Sequence, residues 1–156
     1  GGFIRPPSVT MVQGGKLKEA LASPRSAKEF GVQPNSNEYP ESLDVSAGQI
    51  APEAVLKELD TGVYVNRLWY LNFSDLPASR LTGMTRFATF WVEGGHVVAP
   101  LNVMRFDETI YNMLGENLVG LTSRQELLPS AETYRCRSTR SARLPGALIG
   151  DFAFTL

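Results

Sequence analysis

The chain has 156 residues and a formal net charge of −1, long enough for one ordinary domain with its own core, since domains commonly run ~100 to 150 residues. Its 43% hydrophobic and 20% charged residues exclude collagen, coiled-coil and wholly disordered classes, and the near-neutral balance gives no overall drive toward nucleic-acid phosphates, so DNA binding is disfavoured. Apolar runs such as Val97-Val98-Ala99-Pro100-Leu101 fall far below the ~20 residues that cross a bilayer, so no membrane span is expected. The start, Gly1-Gly2-Phe3-Ile4-Arg5-Pro6-Pro7, has neither Met nor a basic lead into an apolar stretch, and it reads as an excised segment rather than a secretory signal. Cys136 is the one cysteine; without an intrachain disulfide, a reducing cytoplasmic setting is the expectation.

In chain order, Ser8 to Gln13 reads as a strand and Gly14-Gly15 as its turn, with Lys16 to Leu21 returning as a strand or a helix. Ser23 before Pro24, with Gly31 behind Phe30, supplies the cap, first-turn proline and terminal glycine of a short helix. Val32 to Tyr39 is a loop, and Leu43-Asp44-Val45 a short strand. Pro52 opens a second helix with Val55, Leu56 and Leu59 on one face and Gly62 at its close. Gly62 to Phe73 is dense in β-branched and aromatic residues and is expected as a central strand. Thr82 to Val92, the turn Glu93-Gly94-Gly95, and His96 to Pro100 form the clearest hairpin. Asp107 is placed to cap a third helix, in which Ile110, Met113, Leu114, Leu118 and Leu121 recur at helical spacing. A Pro145-Gly146 turn then leads to a last strand carrying Phe152 and Phe154. The pattern predicts an α+β fold, mainly antiparallel β, sheet-like or barrel-like, with two or three short helices, in a single domain over 1–156.

Little in this chain can do chemistry by itself. A zinc site draws three or four His, Cys or carboxylate ligands to one point, and here there is one histidine, His96, and one cysteine, Cys136, with no His-x-x-x-His or Cys-x-x-Cys pair. Cys136 can donate at most one ligand to a site completed elsewhere; otherwise it is a small apolar side chain. His96 sits at a hairpin with no Gly-x-Ser-x-Gly elbow to serve, and Gly83, Gly94 and Gly95 lack the Lys-Ser/Thr of a phosphate loop. Neither catalytic nor cofactor-binding residues are assigned. Tyr134 to Arg143 carries four arginines, whose forks suit phosphate or carboxylate. A solvated loop is the plainer reading, followed by a protein-facing role, with nucleic acid last.

The block Leu81-Thr82-Gly83-Met84-Thr85-Arg86-Phe87-Ala88-Thr89-Phe90-Trp91-Val92-Glu93-Gly94-Gly95, followed by Pro100 and Met104-Arg105-Phe106, resembles the TldD/PmbA family of proposed zinc metallopeptidases, also labelled modulators of DNA gyrase. In that pattern a Thr-Gly-x-Thr-Arg strand leads to a Phe-x-x-Glu-x-Gly hairpin, a proline, and Arg-Phe before a helix. Gly15 to Leu21, Ser26-Ala27, Gly62 to Val65 and Pro145 to Thr155 are similar to the family as well.

The resemblance implies the mainly antiparallel C-terminal half of a two-domain protein that meets its own N-terminal domain, a homo- or heterodimeric partner and a peptide substrate. In the metallopeptidase branch it implies a His-Glu-x-x-x-His helix holding zinc, with a cysteine from the C-terminal half; a metal-free, PmbA-like branch serves as partner subunit. This chain lacks the His-Glu-x-x-x-His motif, so no cofactor is expected within it, and zinc belongs to the full-length protein. Cys136 is the position that could match the metal-binding cysteine, but Arg135 and Arg137 flank it where small residues are expected. The expected role is therefore a substrate wall or subunit interface that is not catalytic alone, or a noncatalytic protein-binding module of the partner subunit.

Overall fold

The computed structural model describes residues 2–134 and 136–155. In chain order the elements are β1 (Val12–Gln13), β2 (Lys16–Leu17), α1 (Pro24–Phe30), β3 (Ser42–Asp44), a 3-10 turn (Pro52–Ala54) running into α2 (Val55–Leu59), β4 (Gly62–Asp75), β5 (Arg80–Glu93), β6 (His96–Pro100), β7 (Arg105–Thr109), a π-helical turn (Asn112–Glu116), β8 (Leu118–Pro129), β9 (Ser141–Ile149) and β10 (Phe154–Thr155). The fold is α+β and dominated by antiparallel pairing, and among the described residues the strands do not close into a barrel. Two compact units emerge, one of residues 1–45 and 127–144, the other of residues 46–126 and 145–156.

The first unit is built from turns and caps. Gly14 (φ 57) and Gly15 (φ 73) take the left-handed conformation between β1 and β2, and consecutive positive φ angles match the twist of a tight hairpin. Ser23 caps α1 reciprocally with Ser26, Pro24 occupies the first turn, and Gly31 ends the helix at φ 66. The Ser23 and Gly31 caps pair backbone groups that the helix ends would otherwise leave open, and Pro24 brings no N–H that needs a partner. Ala22 and Ala27 are its buried apolar residues, and Asn35 braces them by accepting from the Ala22 N–H at 2.8 Å. β3 runs parallel to β9, with Ser42, Leu43 and Asp44 opposite Ser141, Ala142 and Arg143.

The second unit holds the larger core. β5 is its centre: β4 pairs along one side, while β7 and then β6 share the other, and β10 extends the sheet beyond β7. Val92 and Phe106 are fully buried, with Phe152 stacked 5.3 Å from Phe106 and Phe154 4.8 Å from Phe152. Gly83 lies opposite Phe106, and a Cβ there would come within 3.0 Å of the Phe106 ring and the Leu71 side chain; the glycine leaves room for both side chains. Two hydroxyls tie the next segment down, since buried Thr85 Oγ1 accepts from the Met104 N–H at 3.1 Å and half-buried Thr82 Oγ1 donates to the Phe106 carbonyl at 3.1 Å.

Four expectations are corrected. The helix from Asp107 is instead strand β7, a single π turn and strand β8. Its apolar spacing is real, but pairing of Arg105 to Thr109 with β5 captures the start of the segment, and Gly115 and Asn117 are weak helix formers. Glu108, buried in β7, accepts from the Thr109 N–H (2.7 Å) and the Asn112 side-chain amide (3.0 Å), steering the chain into the π turn. The strand from Gly62 is not central: β4 ends the sheet, and its aromatic density faces solvent, with Tyr70 and Phe73 both exposed. Pro145-Gly146 is not a turn but lies inside β9, where the Gly146 N–H donates to Thr122 Oγ1 at 2.8 Å. At the α2 end, Asp60 takes the positive φ (53) and Gly62 already belongs to β4.

Candidate functional site

The first unit carries the candidate thiol. Residues 130–140 form the connection between β8 and β9, closed at its neck by the Ser130 N–H donating to the Arg140 carbonyl at 2.9 Å. Within it, Ser130 Oγ accepts from the Glu132 N–H, a Glu132 carboxylate oxygen from the Tyr134 N–H, and Ser138 Oγ from the Arg140 N–H. Short polar side chains thus replace the ladder bonds that a loop cannot make. Cys136 is exposed and unpaired, while Arg135 lies outside the described residues.

Beside this loop run two shallow depressions. One, of about 310 Å³, is lined by Glu41, Ser42, Ser138, Thr139 and Arg140; the other, of about 240 Å³, adds Leu43, Leu128 and Ala142 as an apolar wall. The Arg140 guanidinium lies 5.3 Å from the Tyr39 ring centre. Arg143 pairs with Asp44 across the β3–β9 register, and that hydrogen bond, reinforced by the Asp44 charge, holds its guanidinium above the ordinary value. Sequence reasoning treated 134–143 as one arginine-rich loop; the structure assigns Arg140 to an aromatic ring, commits Arg143 to a strand ion pair, and leaves Arg137 exposed.

His96 belongs to the second unit, at the first position of β6 opposite Glu93. It is exposed, and its imidazole makes no hydrogen bond among the described residues. A base acting on a nucleophile needs hydrogen-bond reach and an orienting partner, and His96 has neither. Among the described residues no group of three or more His, Cys, Asp or Glu side chains is placed to hold a metal ion. The donor set therefore does not fit a zinc ion unaided, and Cys136 stands as one ligand at most.

A scan of protein families matches residues 4–156 to the PmbA/TldA metallopeptidase C-terminal domain. The chain belongs to this family. No curated protein matches it. Among solved structures it is similar to TldE from Thermococcus kodakarensis, with a TM-score of 0.77 at 16% identity over 94% of this chain and 33% of that one. It is also similar to a proposed modulator of a DNA gyrase from Thermotoga maritima MSB8, with a TM-score of 0.68 at 18% identity over 89% of this chain and 31% of that one. At such identities the likeness concerns the fold, and the chain spans about a third of the length of these two structures.

Sequence reading missed one grouping. Arg67 and Arg86 stand directly opposite each other on β4 and β5, beside Trp69 and Phe87. Both arginines are visible in the sequence, but their opposition depends on a register interrupted by bulges, which periodicity alone does not give.

Proposed function

We propose that this chain is the C-terminal domain of a longer, two-domain, cytoplasmic PmbA/TldD-type peptidase, in which it forms a substrate wall or subunit interface without being catalytic alone. The observation that carries this reading is the donor geometry. An exposed thiol and an exposed imidazole lie in separate compact units, and no cluster of three metal-ligating side chains exists among the described residues.

Zinc-assisted hydrolysis needs a caged ion with an open position and a base for its water. Those groups would come from the rest of the parent protein, with Cys136 supplying one thiolate. Its exposure leaves it accessible to such a site. The partners are the parent's own N-terminal domain, a second family member and a peptide substrate.

A second reading is favoured by Arg137 beside Cys136, where the family has small residues, with no metal-ligating cluster among the described residues: a noncatalytic module of a metal-free, PmbA-like partner subunit. Zinc content of the purified full-length protein separates the two. Binding that is lost on Cys136→Ala supports the first reading, whereas zinc unchanged by that substitution removes Cys136 from the site. A full-length protein without zinc supports the second.

A further inference from the structure

The β4–β5 ribbon presents an outward face that its own chain leaves electrostatically incomplete. Arg67 and Arg86 are direct cross-strand neighbours, a placement in which like charges repel. Both are exposed, and neither makes an ion pair or a side-chain hydrogen bond among the described residues. The Arg86 guanidinium is nevertheless held in place. It lies 5.6 Å from the Trp69 ring centre and 5.6 Å from that of Phe87, and these two rings meet edge to face at 6.1 Å. Stacking on aromatic faces fixes the plane of a guanidinium while leaving its N–H fork free for a carboxylate.

The backbone around the cluster is also unusual. Tyr70 and Phe87, bulky residues, adopt left-handed φ angles of 58° and 65°, a conformation that side chains with a Cβ rarely take without compensation from their surroundings. They coincide with irregularities in the β4–β5 register, and they leave Tyr70 71% and Phe87 63% exposed. Strain at Phe87, whose exposed ring meets Trp69 beside two arginines that lack an ion pair among the described residues, is explained by a contact that covers it.

We propose that this face docks a partner protein surface carrying a carboxylate flanked by apolar side chains, the carboxylate bridging Arg67 and Arg86 and the apolar groups covering Trp69 and Phe87. This deepens the reading of the domain as an interface and rests on it. Charge complementarity selects the occupant: one acidic group relieves the Arg67–Arg86 repulsion and completes the guanidinium fork. Nucleic acid fits less well, because phosphate binding recruits many cations, while β4 is preceded by Asp60 and ends at Asp75.

The test measures binding of a fluorescent peptide of alternating Glu and Leu to the full-length protein, beside a Lys-Leu peptide and oligodeoxythymidine. The Glu-Leu peptide is expected to bind, and Arg86→Glu and Arg67→Glu each to weaken it about tenfold while keeping the wild-type Tm. The double charge reversal should transfer preference to the Lys-Leu peptide. Should either single variant fail to fold, the other carries the test. Equal binding of both peptides, affinity unchanged in the folded variants, or tighter binding of oligodeoxythymidine displaced by salt overturns the proposal. Zinc content and hydrolysis are read separately, so loss of the catalytic reading leaves this binding result standing, and the reverse.

Discussion

The two units of the chain hold their shape by different means. In residues 46–126 and 145–156, order comes from burial: Val92 and Phe106 are sealed from water, and Phe152 and Phe154 stack outward from Phe106. In residues 1–45 and 127–144, the buried apolar groups among the described residues are two alanines, and order comes from caps, glycine turns and side-chain-to-backbone bonds. Large apolar side chains contribute far more by burial than alanine can. The core-rich unit thus gains more from apolar burial than the lightly packed unit, to which the exposed Cys136 belongs.

That contrast can be broken most severely in the core-rich unit. Phe106→Ala should cost about 4 kcal/mol, because it removes a fully buried ring and leaves a cavity beneath Gly83. Chemical denaturation monitored by near-UV circular dichroism checks it, and a loss under about 1 kcal/mol would mean that the ring is not central to the core. Next, Gly48→Ala should cost about 3 kcal/mol by overpacking, since the new Cβ would sit 2.2 Å from the Leu121 carbonyl oxygen. Its readout is a lower denaturation midpoint.

In the lightly packed unit the expected losses shrink. Ser23→Ala removes the α1 cap and its reciprocal bond with Ser26, which should cost about 1 kcal/mol. Amide exchange over α1 should rise while β5 stays protected; equal acceleration in both would show that the units do not differ in this way. The smallest effect is expected of Asp44→Asn. Its partner Arg143 is raised above its ordinary value, so the guanidinium stays protonated at neutral pH, and the stability linked to that shift is lost as pH rises through the raised value. Because the pair is exposed, where solvent screens charge strongly, thermal melts near neutral pH should show no resolvable change.

The same division decides what could be read from the sequence. Local signals worked where structure is local: Ser23, Pro24 and Gly31 bracket α1, and Gly14-Gly15 and Gly94-Gly95 mark two hairpins. They failed where distant strands compete. Arg105 to Thr109 looks like a helix start until β5 offers it a ladder, and Gly62 to Phe73 looks central until the sheet order makes it an edge. Pro145-Gly146 has turn chemistry but sits within β9.

For the candidate site, the single histidine and single cysteine could be counted in the sequence, and their assignment to separate units could not. The Arg67–Arg86 opposition was hidden for the same reason as the strand order: it exists only once the β4–β5 register is known.

The proposed function rests on the donor set: no group of three His, Cys, Asp or Glu side chains is placed to hold a metal among the described residues, so hydrolysis would draw ligands from the rest of the parent protein. Its most direct test is zinc content by atomic emission, measured with peptide cleavage, on the purified chain after equilibration with zinc and removal of loosely held ion. Neither stoichiometric metal nor cleavage is expected. One tightly held zinc per chain together with peptide hydrolysis would contradict it.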